Sequence, residues 1–208
     1  IIGGLTFETM ERLEKHNAIG TFRTAVPGVP FNSEELTLEL DAMVTEQKNI
    51  RTFFHTIYSR PIMEDGVIKG IVAENKSGRF IITAGQFIDA SGDGLLCRDA
   101  GIPMHFAANP QPPTACAHIE NYREMKGLNL KELIEQNREK YPELPCGYSW
   151  GADIPGSGHV YMLAGTRIFG CDCSNADAVT RAEFESRRQI RALVDLFRES
   201  YPEARVSL

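Results

Sequence analysis

Phe87-Ile88-Asp89-Ala90-Ser91-Gly92-Asp93-Gly94 runs from an apolar stretch into a bend that carries two glycines and two aspartates. Its first four residues predict a short strand, and 95–100 predict a short helix. Glycines at the bend let main-chain N–H groups approach a ligand with no side chain between. The N-terminus of the helix beyond them favours a phosphate. An aspartate in such a turn accepts hydrogen bonds from sugar hydroxyls. Strand, glycine-rich bend and helix in this order are the grammar of a nucleotide site. The same order also describes a solvated tight turn, so the surrounding sequence has to weigh the two.

Upstream lies a β region. Residues 50–59 are rich in β-formers, and Asp65-Gly66 separates two apolar runs, 62–64 and 67–74, as a two-residue hairpin does. Lys76-Ser77-Gly78 turns the chain again into Phe80-Ile81-Ile82-Thr83. A three-stranded antiparallel meander leading into the 87–90 strand is predicted. Helices are announced by their start signals. Asn32 with Glu35, stapled by Phe31 and Leu36, opens one whose stripe is Leu36, Leu40, Met43 and Val44. Asn129 with Glu132 opens a second. Thr180 with Glu183 opens a third, with its stripe at Ile190, Leu193, Val194 and Phe197 and its end before Pro202. Thr6 starts a weaker one. The stretch 104–165 is broken by prolines. Strands at 114–119 and 160–169 are expected to pair in one sheet, and the 141–158 loop is expected to be loosely packed.

The chain has 208 residues, 42% hydrophobic and 24% charged, the profile of a globular protein. A net charge of −6 argues against nucleic acid or an anionic membrane as partner. No apolar run approaches the ~20 residues of a membrane span, and no signal peptide is expected. The five cysteines are an odd number and scattered, as reduced thiols of a cytoplasmic protein are. Cys171-Asp172-Cys173 lacks the spacing of a metal half-site, so no metal is expected, and the pair is read as two ordinary thiols at a strand end.

Ile88-Asp89-Ala90-Ser91-Gly92-Asp93-Gly94, a short helix and then Ala100-Gly101-Ile102-Pro103 follow a known pattern. The run from 31 to 103 resembles the FAD-dependent oxidoreductases of the glutathione-reductase-like flavoprotein superfamily, in particular the heterodisulfide-reductase-A-like group. Those proteins carry Thr where Ser91 stands, which keeps the hydroxyl. Phe54-His55-Thr56 and 74–78 match the same pattern, as do Thr166-Arg167, 180–183 and 187–190. The resemblance covers nearly the whole chain and is weakest over 105–160. It implies an α/β fold: a partial FAD/NAD(P)-binding-type domain with an antiparallel β-meander, plus a smaller α+β substrate domain. The corresponding division is 1–104, 105–174, and a long helix in 175–208 returning to the first domain. The superfamily opens with a Gly-x-Gly-x-x-Gly unit that holds the FAD pyrophosphate. No such motif occurs here. The chain is therefore expected to be an internal piece of a longer flavoprotein that holds FAD weakly or not at all by itself. Uncovered apolar faces then make a homo-oligomer an expected state.

The resemblance points to FAD as cofactor and to a small molecule as substrate. Gly92 and Gly94 give the cofactor close access to the backbone, Asp93 faces its hydroxyls, and Ser91 offers a donor to a phosphate oxygen. The strand end at Thr56-Ile57-Tyr58 matches the place where the superfamily holds adenine, and Tyr58 either lies against that ring or is a half-buried strand aromatic. Asp89 is read as a cap of the turn. On the substrate side, Arg167 is a candidate carboxylate clamp and His118 a candidate proton shuttle; a surface ion pair and a structural histidine are the plainer readings. Two other classes remain open: a non-catalytic binding or scaffold module of flavoprotein-like shape, and an unrelated α/β protein that binds a sugar nucleotide. The latter is disfavoured because the bend has no phosphate-loop lysine.

Overall fold

A computed structural model describes residues 3–21, 28–105, 107–145 and 149–208. In chain order the elements are α1 (Leu5–Lys15), α2 (Ser33–Thr45), β1 (Ile57–Glu64), β2 (Val67–Asn75), β3 (Gly78–Thr83), α3 (Leu95–Asp99), β4 (Cys116–Glu120), α4 (Leu130–Gln136), β5 (Trp150–Asp153), β6 (Val160–Ala164) and α5 (Ala176–Ser200). The architecture is mixed α/β, with two small antiparallel sheets. By contact the chain sorts into two units, 49–109 and 1–48 together with 110–208. No helix among the described residues is long and apolar enough to cross a membrane.

The 49–109 unit is built on the meander, with strand order β1-β2-β3. Asp65 and Gly66 take φ of 49° and 76°, the left-handed pair that a two-residue hairpin demands. At the next turn the Asn75 side chain accepts from the Ser77 amide at 2.9 Å, and Asn75 pairs with Gly78 across the strands. Two sequence expectations fail here. The β-formers at 50–56 do not extend β1, because Ile57 already lies opposite Glu74, one residue before β2 turns into β3. Residues 87–90 form no strand. A strand needs a neighbour for its N–H and C=O groups; among the described residues these four have none, and Ile88 is 90% exposed.

In the other unit β6 runs between β4 and β5. Cys116 faces Ala164 and Glu120 faces Val160, so the expected pairing of these two strands is present and antiparallel. Alternation sends Ile119, Tyr161 and Leu163 inward, where they join Leu193, Leu196 and Phe197 of α5 in one core. Tyr122 stacks on Tyr161 with centroids 4.1 Å apart and meets Phe197 edge-on at 5.9 Å. The 160–169 strand ends early, at Ala164, and a buried side chain continues its bonding. The Thr166 hydroxyl donates to the Ala115 carbonyl at 3.0 Å and accepts from the Ala115 amide at 2.8 Å. The 141–158 stretch is more ordered than its composition suggests. Tyr141 and Leu144 are buried and β5 pairs with β6, so the stretch has apolar anchors after all; residues 146–148 of it lie outside the described residues.

The helix starts show which local rules decide. The Asn32 side chain accepts from the Glu34 and Glu35 amides at 3.0 and 3.3 Å, and Asn129 accepts from Glu132 at 3.3 Å. Helix α5 does not start at Thr180. Asn175 caps it, accepting from the Ala178 amide at 2.9 Å, and the Thr180 hydroxyl donates back to the Ala176 carbonyl inside the helix at 2.9 Å. Likewise α1 begins at Leu5 behind Gly4, before Thr6. The α2 stripe is only half-buried, and Leu40 is exposed. On α5 the inward position falls on Gln189, 4% exposed, while Ile190 is half-buried.

Phe197 has no solvent exposure and Phe184, on the same helix, is 63% exposed. Phe197→Ala is expected to cost about 3–5 kcal/mol in urea unfolding, and Phe184→Ala less than about 0.5 kcal/mol. Equal losses would mean that the core is misplaced.

Candidate functional site

The bend at 91–94 is fixed by one carboxylate. Asp89 Oδ1 accepts from the Ser91 hydroxyl at 2.7 Å and from the Ser91 amide at 3.1 Å, and its Oδ2 accepts from the Cys97 amide at 3.0 Å. The Ser91 oxygen in turn accepts from the Leu95 amide at 3.3 Å. Asp89 thus caps both the turn and the first turn of α3, as read from the sequence. The Ser91 hydroxyl gives its proton to Asp89 in this arrangement, so its visible work is to hold the bend.

Gly92 and Gly94 take φ of 87° and 65°, where a side chain is strained. A Cβ on Gly92 would meet nothing within 4 Å. The space beside it is open. Hydrogen bonds to Asp89 and Ser91 use the amides of residues 91, 95 and 97. The amides of Gly92, Asp93 and Gly94 have no acceptor among the described residues, and residues 91–93 are exposed. This is an array of free donors at a solvent-facing bend, fit for a phosphate or for sugar oxygens.

Tyr58 sits within the same unit. It is half-buried, and its hydroxyl donates to Asp99 Oδ2 at 3.2 Å, tying β1 to the end of α3. Burial, and then this bond to a carboxylate, push its phenol up to about 12. Asp99 was not legible as a partner, because its pairing with Tyr58 depends on how the helix docks. Beside the strand end His55, Ile57, Tyr58, Glu74 and Lys76 line an open cleft of about 550 Å³. Strand β1 is an edge strand, with β2 its only neighbour among the described residues.

The substrate-side candidates lie in the other unit. His118 points to the exposed face of β4, away from the core, opposite Met162. Arg167 lies beyond the end of β6, where its amide donates to Gln189 Oε1 at 2.9 Å and its carbonyl accepts from Gln189 Nε2 at 3.2 Å. Several strand positions separate the two, so the structure does not gather them into one site. Gln189 was missed because a glutamine on a helix reads as surface; here its amide is buried and fully used. Among the described residues no three His, Cys, Asp or Glu side chains gather as metal ligands.

Compared with known proteins, the chain matches a family model described as FAD dependent oxidoreductase over residues 1–206. No curated protein and no solved structure gives a significant match.

The Asp89 network makes a testable statement about pH. The Ser91 hydroxyl, then the Cys97 and Ser91 amides, hold the Asp89 carboxyl at about 2 against an ordinary 3.8. A carboxyl lowered by folding stabilises the fold above its unfolded value and loses that effect as pH falls towards the folded one. Wild type should therefore exceed Asp89→Asn in stability at neutral pH, with the gap closing from about pH 3.8 down towards 2. Chemical denaturation across that range measures it, and a gap independent of pH would show that the charge on Asp89 does not hold the turn.

Proposed function

The chain belongs to the FAD dependent oxidoreductase family, and from that premise we propose that it moves a hydride or electrons between FAD and a small molecule, with the cofactor lying along the 91–94 bend. FAD is the cofactor of this family, and the heterodisulfide-reductase-A-like group is the branch we assign from the motifs. The observation that carries the reading is the set of amides at Gly92, Asp93 and Gly94 that have no acceptor among the described residues, with open space beside Gly92. When bound, FAD supplies the redox chemistry at its isoalloxazine ring.

In this reading the chain's own residues bind and orient. The Gly92 to Gly94 amides donate to phosphate or hydroxyl oxygens, and the Asp93 carboxylate accepts from a hydroxyl of the cofactor. Asp89 and Ser91 hold those donors in place by bonding one another and α3. The Thr56-Ile57-Tyr58 strand end takes the adenine through its backbone, and Tyr58 keeps that end against α3 through Asp99. Arg167 and His118 are not gathered into one site, so they stand as separate proposals, Arg167 as a carboxylate anchor and His118 as a proton carrier.

The 208 residues contain no Gly-x-Gly-x-x-Gly, so their grip on the pyrophosphate rests on this bend. We infer a micromolar or weaker Kd for FAD, about −8 kcal/mol or less favourable. A flavin-fluorescence titration of the chain is expected to give such a value, and Gly92→Val is expected to weaken it at least about tenfold by filling the approach. Unchanged affinity in Gly92→Val would move the site away from the bend. Tight stoichiometric binding would contradict the inferred weak grip. The second reading, a module without cofactor, predicts no saturable binding and no absorption near about 450 nm in the purified protein.

A further inference from the structure

The 168–171 segment lies against the first turns of α5. Cys171 is buried with Ala178 and Ala182, its thiol donates to the Ala178 carbonyl at 3.5 Å, and Ile168 packs on the three. Read from the sequence as a thiol at a strand end, Cys171 stands instead beyond the end of β6. Residues 178, 181, 182 and 185 recur at the spacing that puts them on one side of a helix. Two of them are alanines, which keep the helix surface low there. An open cleft of about 700 Å³ results, with Ile168, Cys171, Ala178 and Ala182 among its lining. Phe169 and Phe184 line it too, 69% and 63% exposed, so two rings meet water at the cleft.

The charges of the lining do not cancel. Its one carboxylate, Glu185, is already engaged: Oε2 accepts from Arg188, and Oε1 accepts from Gln189 Nε2 at 3.5 Å. Gln189 is fixed in turn by the Arg167 backbone. Arg181 also lines the cleft, and among the described residues it has no hydrogen-bond or ion-pair partner. One unpaired guanidinium therefore stands over an apolar floor. We propose that this cleft binds a small monocarboxylate with a ring-bearing apolar body. The guanidinium of Arg181 takes the carboxylate through two parallel N–H···O bonds. The body covers Ala178 and Ala182 and meets the rings of Phe169 and Phe184. A concave, mostly apolar surface with one polar anchor is the usual form of a small-molecule site. One net positive charge in the lining matches one negative charge on the ligand, and a second carboxylate would face Glu185. The site uses neither the 91–94 bend nor flavin.

The probe is 3-phenylpropionate, titrated into the isotopically labelled chain and followed by amide resonances. Signals of 168–171 and 178–185 are expected to shift together and saturate, with a Kd of about 1 mM or tighter. Arg181→Gln, a change at an exposed position, is expected to weaken binding about tenfold. The neutral analogue 3-phenylpropanol should bind wild type no better than 3-phenylpropionate binds Arg181→Gln. Phe184→Ala, which removes an exposed ring and leaves the core intact, should weaken both probes alike. No saturation by about 10 mM, shifts confined to other residues, or equal affinity of wild type for the acid and the alcohol would overturn the proposal.

Discussion

The Asp89 carboxylate takes hydrogen bonds from the Ser91 hydroxyl, the Ser91 amide and the Cys97 amide, and the shape of the bend follows from them. A carboxylate accepts strongly and in several directions. By drawing in residues 91 and 97, and residue 95 through Ser91, it leaves the intervening amides of 92–94 with nothing internal to bond. Left-handed glycines at 92 and 94 let the chain take that path. The free donors are thus a consequence of the cap. A bend packed inward with its amides paired would have carried no functional reading at all.

How much of this was legible depended on how local the signal was. Asn32, Asn129 and Asp65-Gly66 act through neighbouring residues, and each appears where its spacing places it. Thr180 failed as a cap because Asn175 offers a better one a turn earlier, and a threonine inside a helix bonds its own backbone instead. The 87–90 stretch has strand composition but no partner among the described residues, and pairing is a property that no single stretch possesses. Trp150–Asp153 was hidden by the turn residues around it, and is a strand because β6 offers it an edge.

The candidate site divides in the same way. Gly92, Asp93 and Gly94 were visible as a motif, and Asp89 was visible as a cap. Asp99 and Gln189 were not, since each depends on tertiary placement. Thr166 and Gln189 show one device used twice: a buried polar side chain replaces a strand partner where regular pairing stops. Arg167 sits between these two anchors, which gives its backbone a fixed position whatever its guanidinium binds.

The central claim is that the main-chain donors of the bend meet the flavin dinucleotide, and amide resonances report it directly. In a titration of the isotopically labelled protein with FAD, the Gly92, Asp93 and Gly94 amide signals should shift together and saturate with one affinity. The Ser91 and Cys97 amides, already bonded to Asp89, should move less. Shifts confined to other residues, with 92–94 unmoved at saturation, would contradict the account.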